Sequence, residues 1–295
     1  MLLLDKALHV SSNHALQAVK RLYRAEKAGH AGTLDPLATG LLPILLGDAT
    51  RFSGYLLDAR KRYEAEVRLG ATTTTGDAEG EVLERRTPSA GRDEILGVLK
   101  RFVGVQAQVP PMYSALKREG TPLYVLARRG EIVERAPRTI EIYALEPLAV
   151  EQDRLVLDVS CSKGTYIRTL AEDIGEALGC GAHLSGLRRT GAGAFRIGQA
   201  STLEALAALG EAERDALLKP ADELLEQLSR VDLQGAEESR FRHGQVIEAP
   251  SGEAGVCRVY GEGGRFLGLA ERGGNGRLAP KRLLAEAPVA PPPTS

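Results

Sequence analysis

The residue with the clearest claim to chemistry is Asp35, in the run KAGHAGTLDPLATGLLPILLG, where glycines flank it, Pro36 follows and His30 precedes. A carboxylate presented by such a loop can act as a nucleophile or move a proton, although an Asp-Pro pair by itself is an ordinary turn initiator. Asp48, Asp58 and Asp77 raise the alternative of a paired-carboxylate glycosidase. None of them has a distinctive context, and the chain has no tryptophan to serve as a sugar platform. His30 invites a general-base reading, but among five histidines there is no HxxxH or His-Asp-Ser arrangement, so metal and triad chemistry have little support. Cys161, Cys180 and Cys257 are an odd number at wide spacing. They fit neither a disulfide framework nor a CxxC motif and read as reduced, buried thiols.

The elements that must position Asp35 are partly legible. LLLDK is a short strand candidate, and SSNHALQAVKRLYRA follows as an amphipathic helix behind a serine cap, with Leu16, Val19, Leu22 and Tyr23 on its apolar face. The glycines and prolines between Lys27 and Gly47 forbid a long helix until at least Pro36, so this stretch is expected to be an exposed loop. YEAEVRLG alternates as a half-buried strand, and LVLDVSCSKGTYIRTLAEDIGEAL reads as strand, turn at Lys163-Gly164, then helix. The basic segment PPMYSALKREGTPLYVLARRGEIVERAPR lacks periodicity apart from a helical stretch around 123–129 and looks like an insertion. Residues 202–229 predict a helix pair broken by Pro220. After about residue 230 the short runs VCRVYG and RFLGLA, set between glycine clusters, suggest a small β domain, and APVAPPPTS a disordered tail.

With 295 residues, 43% of them apolar, the chain can build a large domain and a small one. Its N-terminus has no apolar core of signal-peptide length and no stretch approaches a membrane span, so a soluble, cytoplasmic protein without a membrane partner is expected. Net charge is −1 from 38 basic and 39 acidic residues, which argues weakly against a polyanionic partner. The distribution is uneven, however. Residues 100–139 hold eight Lys/Arg against three Glu, 240–285 hold eight against four, and 199–239 hold ten Asp/Glu against three Lys/Arg. Such segregation can build a basic face for phosphates, or can be ordinary solvated surface charge.

Four ordered stretches, three of them motifs, carry a family resemblance. GHAGTLDPLATGLLP resembles the active-site motif of the TruB family of pseudouridine synthases. LLLDKALHVSSNHALQAVKR resembles that family's opening strand and helix, KRYEAEVRLGATTTTGDAEG its second motif, and KGTYIRTLAEDIGEALGCGAHLSGLRR its third, so that roughly residues 1–200 are covered in order. Ala7 and His9 stand where the family usually shows Pro and Gly, and Ala31 where Thr is common.

The resemblance implies an isomerase that converts uridine 55 in the T loop of tRNA to pseudouridine by base flipping, with no cofactor and with Asp35 as the catalytic carboxylate. It implies that Tyr63 stacks on the flipped base, that Arg168 pairs with Asp35 while Tyr166 lies in the pocket, that Leu187 is an apolar wall beneath the base, and that His30 binds RNA in the space the nucleotide leaves. A non-catalytic RNA chaperone and a guide-RNA enzyme are the rival readings; the first activity can accompany catalysis, and the second would carry longer terminal extensions. The expected fold is α+β: a catalytic domain over 1–230 with a largely antiparallel mixed sheet and flanking helices, a basic thumb insertion at about 111–138, a PUA-like RNA-binding domain over 231–285, and the tail 286–295. Lys117, Arg118, Arg128 and Arg129 of the thumb are expected phosphate contacts. The expected partner is tRNA, through its T arm and its acceptor stem, bound by a monomer with no obligatory protein partner.

Overall fold

The computed structural model describes residues 1–248, 252–274 and 276–284. β1 (Leu2–Lys6) leads into α1 (Ser12–Leu22), whose cap Ser11 accepts a hydrogen bond from the His14 N–H. The stretch expected to be an exposed loop is instead strand at both ends, β2 (Ala28–His30) and β3 (Ala38–Leu46), and only the residues between them form a loop. The reason is burial on both faces. Leu42 and Ile44 enter one core and Leu41 and Leu45 another, so β3 reads as a continuous apolar run without alternation. Pro43 is tolerated where β3 passes from its pairing with a neighbouring strand at residues 38–40 to its pairing with β2 at residues 44–46, and its carbonyl accepts from the Ala31 N–H.

α2 (Ser53–Asp58) then precedes β4 (Lys61–Leu69), whose alternate residues are buried as the sequence predicts. α3 (Arg92–Arg101), β5 (Gly104–Gln108), α4 (Leu123–Arg128), β6 (Arg138–Val150), β7 (Arg154–Cys161), α5 (Ile167–Ala177), β8 (Ala182–Ala192), β9 (Phe195–Arg196) and β10 (Ser201–Thr202) complete the larger body. Ten of its strands form one sheet in the order β10-β1-β3-β8-β4-β7-β6-β5, with β9 paired to β8 and β2 to β3, and two short strand pairs, Ala71–Thr73 with Val82–Arg85 and Lys117–Arg118 with Thr121–Pro122, lie outside it. Only β1 with β10 and β3 with β8 run parallel; the other pairs are antiparallel. α1, α3 and α5 cover one face, where Leu16, Val98 and Ile174 meet Leu4, Val67 and Leu157. Cys161, Cys180 and Cys257 are buried and unpaired.

The helix pair expected over 202–229 divides differently. α6 (Leu203–Ala208) and α7 (Glu211–Asp215) are separated at Gly210, whose N–H donates to the Glu213 carboxylate at 2.9 Å, and a 3-10 turn, Ala221–Leu225, follows Pro220. Glu213 reaching back to Gly210 starts the second helix ahead of the proline. Beyond it β11 (Ser229–Asp232), α8 (Gly235–Arg242), β12 (Ile247–Glu248), β13 (Gly255–Tyr260), β14 (Phe266–Arg272) and β15 (Arg277–Leu283) form a C-terminal sheet domain in the strand order β11-β13-β14-β15-β12. It has its own core of Val231, Phe241, Val259 and Leu278. Leu269 and Phe266 leave that core to pack against Leu45 and Phe52 of the larger body, with the Phe52 and Phe266 rings 5.6 Å apart. The tail expected at 286–295, and residue 285 before it, lie outside the described residues. No helix among the described residues is long and apolar enough to cross a membrane.

Gly40 sits where β3 lies between β1 and β8. Its φ is +99°, and a Cβ built there would stand 2.4 Å from the Arg189 carbonyl oxygen. Gly40→Ala is expected to cost about 3 kcal/mol or more, combining left-handed strain with a clash against backbone that cannot yield, read as a fall in the urea midpoint at unchanged slope.

Candidate active site

Asp35 is held in the tight loop between β2 and β3, and that loop is tied down at several of its backbone groups. Ser12 Oγ, buried at the start of α1, donates to the Leu34 carbonyl at 2.9 Å and accepts from the Leu34 N–H at 2.8 Å. The His9 N–H donates to the Pro36 carbonyl at 2.8 Å, and the Ala38 N–H to the Asp35 carbonyl at 3.0 Å. Arg189 on β8 donates to the Gly32 carbonyl at 3.1 Å and to the Leu41 carbonyl at 2.7 Å. Gly32 has φ +97°, and a Cβ there would lie 3.3 Å from the Arg189 guanidinium. His9, in a position where the resembled family has glycine, also adopts a left-handed φ of 61°. The Asp-Pro turn therefore does not present its carboxylate by chance: Asp35 is 42% exposed at the end of a rigid backbone.

Arg168 meets it from the opposite side. It lies in the first turn of α5 with 5% of its side chain exposed, and its guanidinium reaches Asp35 at 2.9 Å and Asp77 at 3.6 Å. It also donates to the Thr75 carbonyl at 3.0 Å and the Tyr113 carbonyl at 2.7 Å. Asp77 is buried, and one of its carboxylate oxygens accepts from Thr75 Oγ1 at 2.5 Å and from the Glu79 N–H at 3.1 Å. A buried guanidinium with charged and carbonyl acceptors on several sides is fixed in orientation, and it fixes the carboxylates it holds.

The carboxylate of Asp35 opens into a cleft of about 330 Å³ whose walls include Leu57, Tyr63, Tyr166, Ile167, Leu187 and Arg189. Tyr63 is buried on β4, and burial pushes its phenol above the usual range while the Arg189 guanidinium opposes that shift. Tyr166 caps α5 in an extended conformation, and the buried Gln108 side chain clamps its backbone, donating to its carbonyl at 3.1 Å and accepting from its N–H at 2.8 Å. This extended cap is how Tyr166 and Arg168 come to line one cleft although a helix would part residues two apart. Burial raises the Tyr166 phenol as well. Leu187 pairs with Ala38 of β3 and Ala65 of β4, placing it across the cleft floor.

His30 does not line this cleft. It faces an adjoining one of about 490 Å³ on the other side of Asp35, together with Asn13, Tyr124 and Arg128. Burial, and then the Arg189 charge, hold its imidazole pKa below the usual value, so it is neutral near pH 7, and its Nδ1 is buried without a hydrogen-bond partner. Of the four basic residues expected to meet phosphates, Arg128 borders this second cleft with its guanidinium 5.6 Å from the Tyr124 ring, Arg129 lies 4.0 Å from Glu131, and Lys117 and Arg118 are exposed on a short strand. None of the four reaches the Asp35 cleft.

Sequence reasoning missed Ser12, Lys61, Gln108 and Arg189, and treated Asp77 only as a glycosidase partner. A signal existed for two of them: strand alternation puts Lys61 on the face of Tyr63, and Arg189 on the face of Leu187. The paired-carboxylate alternative fails on geometry, because Asp77 is buried and fully engaged, Asp58 pairs with Lys163 at 2.8 Å on the surface, and Asp48 pairs with Arg51. Among the described residues no group of three His, Cys, Asp or Glu side chains is placed to hold a metal ion.

Residues 20–167 match the model of the TruB family pseudouridylate synthase N-terminal domain, residues 168–226 that of the tRNA pseudouridylate synthase B C-terminal domain, and residues 229–284 that of the pseudouridine synthase II TruB C-terminal region. The chain is 54% identical over 284 residues to a tRNA pseudouridine synthase B of Dechloromonas aromatica (strain RCB), covering 96% of this chain and 95% of that one. It resembles a chain in the crystal structure of a Cbf5-Nop10-Gar1 complex with TM-score 0.70 and 29% identity, over 92% of this chain and 77% of that one. It also resembles a chain in an H/ACA RNP bound to a substrate RNA containing 2'-deoxyuridine, with TM-score 0.72 and 25% identity, over 97% and 84%.

Ser12→Ala would leave the buried Leu34 N–H and carbonyl without a partner. A loss of about 1–3 kcal/mol is expected, together with faster hydrogen exchange at the Leu34 amide, both measured on the isolated protein.

Proposed function

The chain belongs to the TruB family of pseudouridylate synthases, and from that premise we propose that it isomerises uridine 55 in the T loop of tRNA to pseudouridine with Asp35 as its catalytic carboxylate. The single observation that carries this reading is the Asp35 carboxylate at the mouth of an aromatic and apolar cleft, held 2.9 Å from a buried guanidinium. Isomerisation breaks the bond between the base and the ribose, turns the base and rejoins it through carbon, with nothing oxidised, reduced or hydrolysed. It needs a carboxylate that is aimed, and the ion pair with the buried Arg168 guanidinium aims it.

The cleft suits a flipped uridine. At about 330 Å³ it has room for a nucleobase and sugar, and a flipped base needs an aromatic or apolar face to stack on, for which Tyr63 is proposed as the platform, Leu187 as the wall beneath, and Tyr166 as the side. His30, neutral and on the other side of Asp35, is proposed to occupy the place the nucleotide vacates in the RNA loop. The segment 111–138 borders the second cleft through Tyr113, Tyr124 and Arg128; we assign it as a thumb over the T loop, with Lys117, Arg118, Arg128 and Arg129 as phosphate contacts. The C-terminal sheet domain is proposed as a PUA-like module for the acceptor stem, beyond a catalytic domain ending near residue 230. Action as a cytoplasmic monomer, and RNA refolding alongside catalysis, complete the reading.

The test is conversion of uridine in an unmodified T-arm stem-loop RNA, with binding followed in parallel. Wild-type protein is expected to form pseudouridine. Asp35→Asn is expected to lose activity by roughly 10⁴-fold or more, as removal of a group that takes part in bond making does, while still binding. If neither protein converts and both bind, an RNA-binding role without catalysis replaces this proposal. Exchanging both Arg128 and Arg129 for glutamine is expected to weaken RNA binding and flatten its salt dependence by about two phosphate contacts, measured as Kd across a salt series.

A further inference from the structure

Two more cations border the Asp35 cleft without pairing with that carboxylate. Lys61 lies on β4 on the same face as Tyr63, and Arg189 stands directly opposite Tyr63 in the pairing of β4 with β8. Both side chains line the cleft, and both residues are buried, Lys61 at 6% exposure and Arg189 at 1%. The Lys61 ammonium donates to the carbonyls of Leu56, Leu57 and Ala59 at the end of α2, at 3.1 Å and 2.6 Å for Leu56 and Ala59. Arg189 donates to the carbonyls of Gly32 and Leu41. Neither has a carboxylate within ion-pair distance among the described residues.

Burying a cation without a counter-charge costs several kcal/mol, and carbonyl dipoles offset only part of that. The cost is visible at Lys61, whose pKa is pulled down to about 8, first by burial and then by the Arg189 charge, against weaker opposing effects of Cys161 and Asp58. A neutral glutamine or methionine at that position would brace α2 or fill the space more cheaply. Arg168 is already shared by Asp35 and Asp77, so Lys61 and Arg189 leave the floor of the cleft with uncompensated positive charge.

Resting on the uridine isomerisation proposed above, we infer that Lys61 and Arg189 are electrostatic positioning residues that stabilise the negative charge developing on the base as it leaves the ribose. When the bond between ribose C1′ and base N1 breaks, its electron pair departs with the base, which becomes a uracil anion. The Asp35 carboxylate neutralises the ribose, either by bonding to C1′ or by taking a proton from the sugar. After the base turns, C5 bonds to C1′ and Asp35 is restored, the C5 proton is released and N1 takes one up, so atoms and charge balance with no oxidant or reductant. During the interval the anion lies against the Tyr63 ring, flanked by the two cations, in a site where a fixed charge acts more strongly than in water.

The test compares single-turnover rates of C1′–N1 bond cleavage on two stem-loop RNAs, one carrying uridine and one 5-fluorouridine at the target; fluorine replaces the C5 proton that is otherwise released, so both RNAs are followed by loss of the original N-glycosidic bond and not by the final product. Fluorine withdraws electron density and makes the departing base a more stable anion, so its departure depends less on outside positive charge. Lys61→Gln keeps a donor for the α2 carbonyls and removes the charge. It is expected to slow the uridine RNA by about 10- to 100-fold, at or below the effect of deleting a direct donor to a developing anion, and to slow the fluorinated RNA several-fold less, with RNA binding preserved. Lys61→Arg, which keeps the charge, is expected to recover part of the rate. Equal slowing of both RNAs, or no slowing by Lys61→Gln, would overturn the inference and leave Lys61 as a brace for α2. Circular dichroism and RNA binding show that the variant is folded; should Lys61→Gln not fold, Lys61→Met is measured by the same ratio. Failure of the wild-type protein to convert uridine would instead remove the proposed function itself.

Discussion

Arg168 is a cation taken almost wholly out of water, and such a group must find acceptors on every side or forfeit several kcal/mol. It finds them in separate pieces of chain: the Asp35 loop, the Thr75–Asp77 turn and Tyr113, while its own backbone belongs to α5. The penalty for breaking any of these contacts is what keeps the pieces together. The same network puts a negative charge at the mouth of the cleft and a positive one behind it. One guanidinium therefore both holds these pieces together and orients the carboxylate proposed for the chemistry, and the aspartate that faces solvent is the least encumbered member of the group.

The sheet supplies the frame. β1 and β3 are buried on both faces because α1 and its neighbours cover one side while α2, the 3-10 turn after Pro220 and Leu269 of the C-terminal sheet domain cover the other. A strand with so little freedom is a firm base for the loop that precedes it, and Ser12 and Arg189 complete the fixation from α1 and β8. The rim is less settled. Ser114 Oγ, Thr169 Oγ1, Arg135 Nε and His30 Nδ1 are buried without hydrogen-bond partners, and the first three lie in or against the segment proposed as the thumb and α5, where bound RNA would bring new polar groups.

Much of this was legible in the sequence where one physical rule governs a stretch. The alternation of YEAEVRL and LVLDVSC gave β4 and β7, the serine pair gave the start of α1, and the resemblance of three motifs pointed to Asp35, Tyr63, Tyr166, Arg168 and Leu187, which the fold brings to one cleft. Legibility failed where two rules compete. Residues 38–46 have no alternation because both faces are buried, so glycine and proline dominated the reading and a central strand passed for loop. The pause at Gly210 was hidden by a continuous run of helix formers. Gln108 gave no sign of burial, and for Lys61 and Arg189 the strand alternation that puts them on the faces of Tyr63 and Leu187 was outweighed by their charge, since charged and amide side chains are surface by default. Asp77 was visible as a carboxylate, but its role depends on Arg168, nearly a hundred residues away.

The claim that Asp35 works as part of one network, and not as a lone carboxylate, is tested most directly by a double-variant cycle on the single-turnover rate of pseudouridine formation, using Arg168→Lys, Asp77→Asn and both together. If Asp77 acts on Asp35 only through the shared guanidinium, the double variant is expected to lose little more than the worse single variant, a coupling of about 1–3 kcal/mol. Losses that simply add would contradict the shared-guanidinium reading and make Arg168 and Asp77 independent contributors.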